Sequence, residues 1–182
     1  MGEWHPFESS FAGSPKAECG YCLDRGSEFI QIAFFVKSPA YVNPDISKGQ
    51  IYEGLWRHDC GELWLGNTEN GRYIEINLAP NGAHWTCAFV LPRLRDGDCR
   101  PPMCTPNSHL VEETQWYSEL RIANLEVERC LGSLDNLVGN VTLVLGGCDH
   151  PDEKVENLHS IVPLEAHDFH RPQDWVPLSN LI

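Results

Sequence analysis

Two short stretches of strict alternation, CGELWL (60–65) and RYIEINL (72–78), constrain this chain more than any other feature. Apolar and polar residues exchange places at every step, the period of a strand with two different faces. NTEN, a turn-forming cluster, lies between them, so the pair reads as a β-hairpin. Leu63, Leu65, Ile74, Ile76 and Leu78 take one face. Cys60, Glu62, Trp64, Tyr73, Glu75 and Asn77 take the other. A connection from Gly66 to Gly71 predicts Trp64 opposite Tyr73, Glu62 opposite Glu75, and Cys60 opposite Asn77. Like charges facing each other destabilise a sheet, so this register asks for compensation. One answer is an arginine between the two carboxylates, Arg72 or Arg121, or a different register. The other is a ligand that uses both carboxylates as acceptors.

The rest of the chain repeats the pattern of short strands and turns. EFIQIAFFVKS, HWTCAFVL, QWYSELRIAN and NVTLVLGG read as further strands, rich in aromatic and β-branched residues. RLRDGDCRPPMCTPNSH reads as a Pro-rich loop, GSLDNLV as a helical turn, HPDEKVENLHS as loop or short helix, and DFHRPQDWVPLSNLI as an irregular tail. The 15 glycines and 13 prolines favour many turns over long helices. The expected fold is all-β, an antiparallel β-sandwich of immunoglobulin-like or jelly-roll type with few short helices. At 182 residues it is expected as a single domain over 1–182.

A formal charge of −13 argues against nucleic acid and against an anionic membrane surface as partners, since both ask for clustered Lys and Arg. No apolar run reaches spanning length. The N-terminus MGEWHPFESSFAGS lacks a basic segment followed by an apolar one, so no signal peptide is read and the expected location is cytoplasmic, or secreted if a leader was trimmed. Without a leader the eight cysteines are expected as free thiols. Cys19 and Cys22 in CGYC fall on a strand, where they face opposite sides. With CRPPMC (Cys99, Cys104) they leave a zinc reading open, but the spacing matches no known ligand pattern. Cys60, Cys87, Cys130 and Cys148 lie in or beside strands, as small buried hydrophobes do.

The polar face of the hairpin carries the candidate chemistry. Paired carboxylates accept from hydroxyls, and flat aromatic rings cover C–H surfaces, a combination that suits sugars. In QWYSELRIAN, Leu120 and Ile122 look core-directed, which would bring Tyr117, Glu119 and Arg121 to the polar side.

GLWRHDCGELWL, with Trp56, Asp59 and Glu62, resembles the family 9 carbohydrate-binding modules and the related DOMON-like β-sandwiches. So do YIEINLAPNGAHW, with Tyr73, Glu75, Asn77, Pro80, Gly82 and Trp85, and the late Asp168, Phe169 and His170. The resemblance implies a sandwich that binds a mono- or oligosaccharide without catalysis, with Trp56 and Glu62 matching a clamp tryptophan and its partner. A second clamp tryptophan is expected before Asp-Phe-His, yet NLHSIVPLEAH holds no aromatic residue. Trp64, Trp116 and Trp175 are the substitutes weighed. Haem, bound by some DOMON domains through Met and His, has only Met103 besides Met1 to use.

Other chemistries are also weighed. Glu62 and Glu75 could form a glycosidase dyad, but few long loops are present to build a deep cleft. No Gly-x-Ser-x-Gly elbow and no phosphate-binding loop occurs. His167, Asp168 and His170 cluster, and before a metal site the reading is that Phe169 plugs the sandwich end while Asp168 and His170 tie down the tail. No cofactor is expected; calcium is left open through NTEN, RDGD or CDHPDE, none a recognisable calcium loop. The reading assigns ligand binding to Trp56, Glu62, Trp64, Tyr73, Glu75, Asn77 and Arg121. The alternative is an interaction or structural sandwich with no sugar ligand, in which an arginine neutralises Glu62.

Overall fold

The computed structural model describes residues 2–8, 10–11, 16–151, 157–163 and 168–182. Among the described residues twelve strands form two sheets. The first sheet runs β1 (His5–Pro6), β2 (Cys19–Arg25), β3 (Phe29–Val36), β9 (Trp116–Ala123), β8 (Cys104–Val111). The second runs β11 (Asn157–Ser160), β10 (Leu137–Leu145), β4 (Cys60–Asn67), β5 (Tyr73–Leu78), β6 (His84–Leu91), β7 (Leu94–Arg95), and β12 (Val176–Pro177) also pairs with β10. Every strand pairing is antiparallel. The fold is the expected antiparallel sandwich. Among the described residues no helix is long and apolar enough to cross a membrane.

Alternation builds the core. Ile30, Ile32, Phe34 and Val36 of β3 meet Leu63, Leu65, Ile74 and Ile76 across the two sheets, all at 0–1% exposure. Each such side chain contributes about 1.5–3 kcal/mol on leaving water. Gly61 faces Phe34 across the two sheets: an added Cβ would lie 2.4 Å from the ring, so β4 needs glycine there.

The hairpin keeps the expected faces but not the expected register. Gly66 pairs with Tyr73, Trp64 with Glu75, and Glu62 with Asn77. The slip is two residues because β4 continues through Gly66 and Asn67. Gly66 lies beneath the Trp175 ring, and Asn67 Oδ1 accepts from Glu69 N at 2.8 Å. An even slip leaves every side chain on its face. It also removes the direct opposition of the two glutamates.

Among the described residues one α-helix, α1 (Asn124–Leu131), directly follows β9, upstream of the helical turn expected at GSLDNLV. Val127, Cys130 and Leu131 give it a buried stripe at helical spacing, and Gly132, at φ 83°, ends it. The Pro-rich loop gives way to β7 and β8. Among the described residues three of the four sheet edges are short or interrupted: β1 has two residues, one of them Pro6, β7 has two, and β8 shifts register between Pro106 and Ser108, while the fourth edge is the four-residue β11.

Candidate functional site

A cleft of about 410 Å³ opens on the outward face of β4, β5 and β6. Its volume falls in the range of small-molecule sites. Trp56 and Trp85 stand at one end, Glu62 and Glu75 are on the strands, Arg93 and Arg95 line the side, and Phe169 and His170 arrive from the tail.

Trp56 is carried on a 3-10 turn, Leu55–Arg57, entered through Gly54 in the left-handed region at φ 96°. Asp59 fixes this segment. Its two oxygens accept from Tyr41 N at 2.9 Å and Gly146 N at 2.7 Å. Gly147 lies against the Arg57 backbone so closely that a Cβ would sit 2.2 Å from the Arg57 carbonyl. The Trp56, Asp59 and Glu62 spacing therefore serves as platform, anchor and floor. Trp56 meets Trp85 edge-on, with centroids 5.6 Å apart and planes at 61°. A sugar ring sandwiched between parallel rings needs about 7–8 Å between them, two carbon–carbon contact distances. The two tryptophans form a corner instead of a sandwich, and the Arg95 guanidinium covers the Trp85 ring at 5.3 Å.

The carboxylates are recessed. Glu62 is 3% and Glu75 5% exposed. Glu62 Oε2 accepts from Thr142 Oγ1 at 2.6 Å, and Thr142 Oγ1 accepts from Trp64 Nε1 at 2.8 Å. Glu75 Oε1 accepts from Asn77 Nδ2 at 2.9 Å. Burial pushes both carboxyls upward, and the Glu75 charge adds to the rise at Glu62. His170 is pushed down to about 4 by burial and by Arg93, so it is neutral near pH 7. It lies 3.9 Å from Glu75 as an uncharged ring, and its Nδ1 is 2.8 Å from the Tyr73 hydroxyl.

Of the residues assigned from sequence, Trp56, Glu62, Trp64 and Glu75 line the cleft. Tyr73 and Asn77, both fully buried, do not line it. Tyr73 stacks on Phe89 at 4.7 Å and accepts from Arg93 N at 2.9 Å. The tail folds over this face, with Trp64 packed against His170 at 4.9 Å and Trp175 at 6.0 Å. Arg121 does not join the site. β9 pairs with β3 and β8 in the other sheet, where Arg121 Nε donates to Gln31 at 2.6 Å and Glu119 accepts from Asn107 and Tyr117. Among the substitutes weighed, Trp116 and Trp175 are buried and do not line the cleft, while Trp64 lines it from a 2% exposed position.

Trp85, Phe89, Arg93 and Arg95 are site residues absent from the sequence assignment. The first two were legible. Asn77 pairs with Trp85 and Tyr73 with Phe89, so β6 alternation puts both on the polar face. The arginines have no periodic signal, since they follow a register shift between Phe89 and Leu91. Arg93 pairs with Asp168 at 2.8 Å, and Arg95 pairs with Glu53. Asp168 and His170 thus tether the tail; His167 lies outside the described residues. Among the described residues no three His, Cys, Asp or Glu side chains converge on a metal-holding arrangement. Two strands, β3 and β9, separate Cys19 and Cys22 on β2 from Cys104 on β8, and Met103 is 65% exposed in the loop before β8.

No family model and no curated protein sequence matches the chain. Solved structures do. A candidate carbohydrate-binding protein from Bacteroides uniformis ATCC 8492 aligns with a TM-score of 0.69 at 18% identity, over 95% of this chain and 84% of that one. A family 9 carbohydrate-binding module from Caldicellulosiruptor kristjanssonii in complex with glucose aligns with a TM-score of 0.58 at 10% identity, over 96% of this chain and 81% of that one. A family 9 module from the same organism in complex with cellotriose gives 0.55 at 12% identity, over 88% and 72%. The chain has a β-sandwich fold like that of the family 9 carbohydrate-binding modules.

Proposed function

We propose that this protein binds a sugar, non-catalytically, in the cleft beside Trp56. The observation that carries the reading is one recess that joins an aromatic corner, Trp56 and Trp85, to acceptors and donors at Glu62, Glu75, Arg93 and Arg95. Aromatic faces cover the apolar C–H surface of a pyranose, and the polar groups exchange water for its hydroxyls. Raised carboxyl pKa values allow Glu62 and Glu75 to donate as well as accept near neutral pH. Binding is favoured over hydrolysis because Glu62 is held by Thr142 and Glu75 by Asn77, and the register sets the pair diagonally. The fold likeness to proteins solved with glucose and with cellotriose supports the same reading.

The test is calorimetric titration with a monosaccharide panel, on the protein and on Trp56→Ala. Loss of the Trp56 face is expected to weaken binding at least about tenfold while the melting temperature stays within a few degrees. Unchanged affinity in the variant would remove Trp56 from the site and with it the reading. An aryl glycoside run in parallel, hydrolysed by the protein but not by Glu62→Gln, would replace binding with catalysis.

A further inference from the structure

Far from the cleft tryptophans, the segment between β7 and β8 meets α1 through two cysteines. Cys99 Sγ and Cys130 Sγ lie 3.3 Å apart. A disulfide needs about 2.0 Å, so the two sulfurs have to approach by only about 1.3 Å. Both are free thiols; Cys99 is partly exposed, and Cys130, on α1, is buried.

The contact is held from both sides. Cys99 N donates to Asp96 Oδ1 at 3.2 Å, and the other Asp96 oxygen pairs with Arg72. Arg129, next to Cys130 on the helix, donates to the Arg100 carbonyl at 3.0 Å. Glu126, one turn before Cys130, accepts from Arg100 and from Met103 N. The two thiols nonetheless differ. Arg129 Nη1 donates to Cys99 Sγ at 3.3 Å, and a cation against a sulfur favours its anionic, nucleophilic form. Burial first, and the contact with Cys99 second, push the Cys130 thiol up to about 12, so it stays protonated at neutral pH. One sulfur is reachable and faces a cation, while the other is enclosed and waits as a thiol.

The geometry points to Cys99 and Cys130 as a modification site, a thiol pair that hydrogen peroxide converts reversibly into a disulfide. The Cys99 sulfur attacks one oxygen of hydrogen peroxide. The O–O bond breaks, the sulfur becomes a sulfenic acid, and the departing hydroxide takes the Cys99 proton and leaves as water. The Cys130 sulfur then attacks the Cys99 sulfur. The S–O bond breaks, and the sulfenic hydroxyl leaves with the Cys130 proton as a second water. Two thiols lose two electrons, and one hydrogen peroxide gains them. β7 belongs to the second sheet and β8 to the first, so Cys99 sits on a crossing between the sheets. The bond pins that crossing to α1 and closes a loop spanning 31 positions, which constrains the unfolded chain.

The test is hydrogen peroxide treatment of the folded protein, followed by mass-spectrometric mapping. A 99–130 cross-link is expected, reversed by dithiothreitol. Arg100 precedes Pro101, so trypsin leaves Cys99 and Cys104 in one peptide, and Cys130 shares another with Cys148. Variants therefore assign the partners: Cys104→Ser and Cys148→Ser should keep the cross-link, and Cys99→Ser should lose it. In Cys130→Ala, which keeps an apolar side chain on the buried face of α1, the Cys99 sulfenic acid has no thiol to meet and should accumulate, to be captured by dimedone. The oxidised protein should melt several degrees above the reduced one. A cross-link to Cys104 or Cys148, one formed only after denaturation, dimedone capture at Cys130 in Cys99→Ser, or a melting temperature that does not rise overturns the inference.

Discussion

Glu62→Gln should make the protein more stable in base. The carboxyl is fully enclosed, and its folded pKa is raised from 4.5 to about 8, by burial first and by the Glu75 charge second, against the opposing hydrogen bonds from Thr142 and Trp64. A raised carboxyl reverses the common sign. Between pH 4.5 and 8 the folded state holds a proton that the unfolded state has released, so stability falls as pH rises through this window. At ~1.4 kcal/mol per tenfold change, the difference sets a ceiling of about 4 kcal/mol at pH 8. The pair titrates jointly and the surroundings relax, which brings the expected loss to about 2 kcal/mol. Gln keeps a carbonyl oxygen for Thr142 and carries no charge. Urea unfolding of both proteins should give nearly equal stabilities at pH 4.5 and an advantage of about 2 kcal/mol for the variant at pH 8. Differencing the two proteins cancels groups of opposite sign, such as Glu126, which is lowered to about 2 by Arg129 first. An offset independent of pH, or a variant less stable at pH 8, would refute the reasoning, because it would mean a cation neutralises Glu62 in the fold.

Asp59→Ala strands two backbone donors, Tyr41 N and Gly146 N, and should cost about 2–4 kcal/mol by thermal unfolding. Gly147→Ala forces a Cβ onto the Arg57 carbonyl at a positive φ of 46°; it should lower stability by about 3 kcal/mol or more, and calorimetry should show weakened ligand binding because the Trp56 turn shifts. Tyr73→Phe keeps the stack on Phe89 but leaves His170 Nδ1 and Arg93 N without the hydroxyl, at a cost of about 1–3 kcal/mol in urea unfolding.

The hairpin shows why part of this site was legible. Alternation fixes which face a strand residue takes, and that survives any even slip, so Glu62, Trp64, Tyr73 and Glu75 were brought together from sequence. The register was not legible, because it depends on Gly66 lying beneath Trp175 and Asn67 Nδ2 reaching the Leu131 carbonyl, both distant in the chain. Arg121 was misplaced for a related reason. Its alternation is regular, but which sheet β9 joins is a matter of topology. The helix was hidden because its three buried apolar positions closely follow a strand of similar composition. The recess itself depends on the tail, whose Phe169, His170 and Trp175 carry no periodic pattern.

The blunt sheet margins carry a consequence for how this protein meets others. A free strand edge is an open row of donors and acceptors that can recruit another chain by backbone pairing, the route to swapped dimers and fibrils. Here β1 and β7 have two residues each, Pro6 lacks an N–H, and β8 breaks its register beside Pro106. These three margins are short or broken, which limits the run of backbone groups each can offer a neighbour. A partner meeting them has to read side chains.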